Sequence, residues 1–213
     1  MTVVAILTIA SSIISLLSLL ALHFTSPEFQ PSWRMISEYA LGKYKGVLTI
    51  FFFAWGLGSI LCALLLWNNI SGIWATLGVM MVLVTGIGAI AGGLFDVKHK
   101  LHGLAFGLGV PFLPIGALLI AYHLIQKVNW LNYKQALLVS SHAIWISLLL
   151  MAISMMLIFS GFKKAGYPMG PDVEPPKELP KGVIGINGYM NRLLVLCYIL
   201  WNITIAFIFL KIN

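Results

Sequence analysis

The stretch Gly46–Trp67, GVLTIFFFAWGLGSILCALLLW, decides the fold, because it runs from end to end without a charged residue. At 1.5 Å rise per residue a helix of that length crosses a hydrocarbon core of about 30 Å. Working outward, five more runs of the same kind can be drawn: Val3–Phe24, Ile70–Phe95, Leu101–Gln126, Ala136–Phe162 and Gly188–Leu210. The composition agrees. Of 213 residues, 60% are hydrophobic and 9% charged, where a soluble domain carries about 25% charged residues and needs them to cover its surface. The expectation is an all-α, polytopic integral membrane bundle of six transmembrane helices, a single domain over residues 1–213. The first run begins at Thr2 without a basic flank and ends without an A-x-A cleavage site, so it reads as a retained helix and not a signal peptide.

An even number of spans puts both termini on one face, the terminal face, and three loops on the other. Those loops are Thr25–Lys45, Asp96–Lys100 and Lys163–Asn187. They hold all six acidic residues, Glu28, Glu38, Asp96, Asp172, Glu174 and Glu178, so polar chemistry belongs on this loop face. The excess of 13 Lys and Arg over 6 Asp and Glu has its source in loops that set membrane orientation, which argues against a nucleic-acid partner. Most of these cations lie on the loop face, and their raw count places that face in the cytoplasm. The expected setting is the bilayer of a cell membrane, with a small-molecule or lipid ligand compatible with the loop face and oligomeric state left open. Cys62 and Cys197 fall inside apolar runs and read as small packing residues.

Glycines mark the third and fourth spans. Gly88 and Gly92, and Gly103 and Gly107, are each four apart, which bares one helix face for close packing. Pro111 and Pro114 interrupt the backbone ladder of the fourth span and predict a kink. Trp33, Trp67, Trp130 and Tyr133 read as interfacial anchors, Arg192 as a snorkelling residue one turn inside the last span, and Asn202 as a cross-helix hydrogen-bonding group.

Three groupings offer chemistry. Asp96, His99 and His102 are each three apart around the third loop-face turn, with Gly103 beside them and His23 at a similar depth. Carboxylate and imidazole in this pattern can ligate a divalent metal or exchange protons; the plain structural alternative is a helix cap and a solvated turn. Arg34 and Glu38 are four apart in SWRMISEYAL, a segment that reads as a short amphipathic helix at the interface. They form either an ordinary ion pair or a carboxylate turned toward Asp96 and the histidines. His123 and His142 lie toward the terminal face on neighbouring spans, where a haem iron could be held between them, although adjacent helices usually pack too closely for a porphyrin.

The order of spans, together with Pro31 to Gly42 (PSWRMISEYALG), the Gly-rich third span ending in Phe95-Asp96 and the opening His102-Gly103, resembles the bacterial membrane proteins of domain-of-unknown-function family 998. That resemblance covers nearly the whole chain and implies a six-helix membrane protein of prokaryotic type with no established reaction. It points to Ser37, Glu38, Asp96, His102 and Gly103 as a common site. A more distant similarity is to the membrane hydrolases that include the alkaline ceramidases, which implies serine, aspartate and histidines around zinc. Here there are six spans in place of seven, and no final pair of histidines four apart. The leading expectation is a small-ligand or proton-coupled transporter or sensor with a polar site on the loop face. The alternatives are a metal-dependent hydrolase, with Asp96, His99 and His102 as ligands and Ser37 or Glu38 near the attacked bond, and a haem-binding electron carrier using His123 and His142.

Overall fold

The computed structural model describes residues 1–168, 173, 176 and 178–213; the loop-face residues Asp172, Glu174 and Lys177 lie outside these. Among the described residues the chain is helical, without strands. The helices are α1 (Thr2–Thr25), α2 (Lys45–Trp67), α3 (Ile73–Leu94), α4 (His102–Gly109), α5 (Phe112–Leu124), α6 (Val128–Leu131), α7 (Lys134–Lys164) and α8 (Asn187–Ile212). A 3-10 helix, Ile36–Leu41, precedes α2. Counting α4 and α5 as one interrupted span, six segments are long and apolar enough to cross a membrane. Their ends fall within three residues of those drawn from hydropathy, and the termini share a face.

The helices form a ring in chain order. α1 packs on α2, α2 on α3, α3 on α4 and α5, and α5 on α7; α8 then closes the ring between α7 and α1 and also touches α2. Being surrounded on three sides, α8 buries Leu194, Tyr198, Ile199, Trp201, Ile205 and Ala206 almost fully. In lipid there is no hydrophobic drive between helices, so close approach of small residues and interhelical hydrogen bonds must hold them together. Both devices are present. A Cβ on Gly56 would stand 2.6 Å from the Gly86 carbonyl oxygen, and one on Gly116 would stand 2.8 Å from that of Gly78. Asn202 donates to Ser59 Oγ at 3.0 Å, and Trp201 Nε1 to Ser141 Oγ at 3.0 Å.

The fourth span is broken where the prolines stand. α4 ends at Gly109 and α5 begins at Phe112. Pro114 has no N–H for the Val110 carbonyl, four residues back, and the Tyr198 hydroxyl donates to it instead at 2.5 Å. The glycine face of this span differs from the expected one. Gly103 and Gly107 have open space beside them, whereas a Cβ on Gly88 would collide with the backbone of Leu108 and Gly109. The contact of α3 with α4 is therefore made at Gly88 and Gly109, beside the break.

Two interfacial anchors also have to be reassigned. Trp33 and Trp130 are 4% and 3% exposed; Trp33 packs with Ile158 and Val183, and Trp130 belongs to the main core. Trp67 stays half exposed, as an anchor should be. The segment around Trp33 is likewise no amphipathic helix lying on the membrane. It is a turn and a 3-10 helix folded into the bundle, with Ile36 and Tyr39 fully buried.

Candidate functional site

What draws residues 31–39 inward is the start of α8. Gly188 and Tyr189 donate their N–H groups to the Ser32 carbonyl at 2.9 and 3.2 Å, Asn187 donates to Trp33 O at 2.8 Å, and Asn191 Oδ1 accepts from Ile36 N at 2.9 Å. Gly188 is required for this approach, since a Cβ there would meet Arg34 O at 2.7 Å.

Arg192, one turn further along, points into this junction and does not snorkel. Its Nε donates to His23 Nε2 at 2.7 Å; the terminal nitrogens donate to the carbonyls of Arg34 (2.7 Å), Gly188 (2.9 Å) and Pro31 (3.2 Å) and to the Tyr39 hydroxyl (3.1 Å). His23 Nδ1 lies 2.6 Å from the Leu19 carbonyl. A carbonyl only accepts, so Nδ1 carries the proton and Nε2 offers its lone pair to Arg192. His23 thus belongs to the Arg192 hub and not to a cluster with Asp96.

Beside the hub, Arg34 Nε and Glu38 Oε2 form the i, i+4 ion pair at 2.9 Å. Glu38 also accepts from Met35 N at 2.9 Å, and Arg34 donates to Pro176 O at 3.0 Å, tying the third loop to the first. Burial raises the Glu38 carboxyl above its ordinary range, against the opposing pull of Arg34, the Met35 N–H and Arg192.

The structure does not bring Asp96, His99 and His102 together as a ligand set. Asp96 pairs with Lys45 Nζ at 2.5 Å and accepts from Lys98 N at 3.0 Å; the Lys45 hydrogen bond holds its carboxyl below the usual range. His99 stacks on Phe95, ring centroids 4.7 Å apart, and accepts from Leu101 N at 3.1 Å. His102 Nδ1 bonds the Phe95 carbonyl at 2.9 Å. Among the described residues no group of three or more His, Cys, Asp or Glu side chains can hold a metal ion. At the other face His123 and His142 also take separate partners. Ser71 N donates to His123 Nε2 at 3.4 Å, and His142 Nε2 lies 3.3 Å from the Tyr122 hydroxyl.

Two of the candidate residues, Ser37 and His102, do converge, on a cleft of about 70 Å³ in the loop-face half of the bundle. Its wall comes from the 3-10 helix, α2, α3, α4 and α8. Bare backbone at Gly88, Gly92 and Gly109 makes the space, Phe52, Trp55 and Phe106 give the wall its aromatic surface, and Asn191 joins Ser37 and His102 as the polar side chains of the lining. Because His102 Nδ1 donates to Phe95 O, its Nε2 keeps a free acceptor lone pair in the neutral ring. Trp55 is 4% exposed, and its indole N–H has no acceptor.

The model of a family described as "Protein of unknown function (DUF998)" matches residues 9–208. The chain belongs to the DUF998 family. The match spans the ring of six helices, the cleft and the Arg192 hub together, so the site described above lies within the DUF998 region of the chain. No curated protein and no solved structure matches the DUF998 chain.

Sequence reasoning passed over Trp55, Asn191 and the inward direction of Arg192. One signal was present for Trp55: it stands ten residues into α2, about 15 Å from the span's end, while tryptophans in membrane spans concentrate at the interfaces where the N–H meets water. For Arg192 the signal was an ionisable group inside a span.

Proposed function

We propose that this DUF998 chain is a small-ligand transporter or sensor of a cell membrane, working from the loop face and holding its ligand in the cleft between the 3-10 helix, α2, α3, α4 and α8. The observation that carries this reading is the position of the cleft beside the broken fourth span. Its wall runs from Ser37 and His102 at the mouth to Trp55 and Val110 at the break. With Trp55 about 15 Å from the loop-face end of α2, the floor reaches the middle of a core of about 30 Å. Transporters commonly build midplane sites next to discontinuous helices, where irregular backbone faces a cavity and not lipid. His102 is the titratable group of the cleft wall, and proton coupling would act there. The alternative of a metal-dependent hydrolase has no matching ligand geometry among the described residues.

The test uses a single cysteine at Ala105, in a background with Cys62 and Cys197 replaced by alanine. Ala105 is 3% exposed and lines the cleft, while its neighbour Leu104 is 56% exposed on the outer side of α4. A small methanethiosulfonate added from the loop face is expected to modify Ala105→Cys at least tenfold faster than Leu104→Cys, and an added Ser37→Trp should slow it. Equal or slower reaction at Ala105→Cys would sink the proposal.

A further inference from the structure

We infer that the loop-face cleft selects an uncharged ligand that carries both a hydrogen-bond acceptor and a donor, in chemical class an amide or an alcohol, and that Asn191 on α8 binds the acceptor. The inference rests on the reading of the cleft as a ligand site and adds the chemistry of what it holds. Asn191 is 9% exposed, and the space it lines is the cleft. Its Oδ1 accepts from Ile36 N at 2.9 Å; a backbone N–H only donates, so this contact fixes which end of the side-chain amide is oxygen. The other end, Nδ2, carries two N–H donors that no group among the described residues accepts, and it is not sealed into the packing. The other two buried asparagines of α8 spend theirs on the protein, Asn187 on Trp33 O at 2.8 Å and Asn202 on Ser59 Oγ at 3.0 Å. A buried donor is costly until something pairs with it.

Two more groups of the lining stand in the same condition. His102 holds the Phe95 carbonyl through Nδ1, which leaves Nε2 an acceptor, and the Ser37 hydroxyl has no partner among the described residues. The cleft therefore offers donors at Asn191, a lone pair at His102 and, at Ser37, a group that does either. A ligand that only accepts leaves His102 unmatched, and one that only donates leaves Asn191 unmatched. Charge is disfavoured by the same wall. Among the described residues that line the cleft there is no Asp, Glu, Lys or Arg, and the charges nearest in the chain are engaged elsewhere: Glu38, beside Ser37, with Arg34 and Met35 N, and Arg192, beside Asn191, with His23 and its other acceptors. A carboxylate or ammonium entering here would lose its water and find no counter-charge. Neutral amides and hydroxyls carry acceptor and donor together, and the apolar lining at Phe51, Phe52, Phe106, Leu194 and Val195 suits their hydrocarbon part.

The protein reconstituted in phospholipid nanodiscs tests this at neutral pH with four probes of similar size: propionamide, 1-propanol, propionate and propylammonium. Affinities are read from protection of Ala105→Cys against a methanethiosulfonate. In the protein with ¹⁵N-labelled asparagine, the Asn191 side-chain resonances are assigned by their absence in Asn191→Asp. Propionamide or 1-propanol is expected to shift those resonances saturably and to bind about tenfold more tightly than either ion. Asn191→Asp keeps an oxygen for Ile36 N and replaces the two donors by an acceptor, so it should reverse the order and favour propylammonium over propionamide about tenfold. Equal protection by all four probes, or tighter binding of an ion before the substitution, overturns the neutral assignment. Asn191 resonances unmoved while propionamide and 1-propanol protect, or an Asn191→Asp protein that still prefers propionamide, overturns the role of Asn191. Protection by none of the four, with Ala105→Cys reactive, overturns the ligand class and leaves the cleft as a site; unreactive Ala105→Cys removes the underlying reading as well. Where Asn191→Asp does not fold, the probe order in the unsubstituted protein decides without it, and Ser37→Ala, which removes one of the polar groups, should weaken propionamide about fivefold.

Discussion

Arg192 shows what a single residue does for this fold. Its guanidinium serves five acceptors from α1, the segment Pro31–Tyr39 and its own helix, and no other side chain has that fork of donors. Charge-assisted hydrogen bonds contribute about 1.5–3 kcal/mol each when a partner is lost. Arg192→Leu is therefore expected to cost about 3 kcal/mol or more, and Arg192→Lys about 2 kcal/mol because an ammonium cannot span the same acceptors. Chemical denaturation in mild detergent measures both; a loss below about 0.5 kcal/mol for Arg192→Leu rules the hub out as a stabilising element. Glu38 supplies a pH dependence with the opposite sign to most carboxylates. Its folded-state pKa is raised by burial, so the folded state favours the protonated form. The contribution is complete below the unfolded value of about 4.3 and disappears as the pH rises through the raised folded value. Thermal midpoints should rise on acidification through this window, and Glu38→Gln should flatten that part of the profile. The Arg34–Glu38 pair was legible from its i, i+4 spacing alone. The direction of Arg192 was not, because it is decided by Pro31 and Arg34, more than 150 positions away in the chain.

At the scale of elements, the glycines separate local from non-local information. Hydropathy and the prolines suffice to place the six spans and the break near Pro111, since span length, the missing proline N–H and the bilayer thickness are properties of the segment itself. Which glycine face meets which neighbour depends on rotation about the helix axis, and for α4 the pattern misled: Gly103 and Gly107 face open space, while Gly109 meets Gly88. Opposite outcomes follow for substitutions of similar size. Gly107→Ala has room, and removing a glycine from a helix should stabilise by about 0.5–1 kcal/mol. Gly88→Val must push α4 off α3, and overpacking of this kind costs about 1–3 kcal/mol and should also change the cleft, since Gly88 and Gly109 both line it. Tyr198→Phe removes the donor to Val110 O and leaves that carbonyl unpaired in lipid, for an expected loss of about 1–3 kcal/mol. Denaturation midpoints of the three variants decide; a Gly107→Ala loss equal to that of Gly88→Val would mean that α4 packs by its other face.

Taken whole, the molecule is asymmetric across the membrane. The terminal face carries α6, whose Trp130 is 3% exposed, and two open depressions, one beside Ser71–Ala75 and one beside Lys127–Trp130, whereas the loop face carries the narrower cleft and the first and third loops, joined by Arg34 to Pro176. That asymmetry gives orientation a functional meaning. Lys43, Lys45, Lys98, Lys100, Lys163, Lys164 and Lys181 stand on the loop face, against Lys127, Lys134 and Lys211 opposite. The positive-inside rule predicts that this surplus lies in the cytoplasm; on the proposed reading the mouth of the cleft would then open inward. Lys43 and Lys134 are both exposed and make suitable reporters in the background without Cys62 and Cys197. A membrane-impermeant maleimide should label Lys134→Cys in intact cells and Lys43→Cys only after permeabilisation. The reverse pattern would place the lysine-rich loops outside against the rule and make the cleft a site open to the exterior, where a soluble ligand reaches Ser37 and His102 without entering the bilayer.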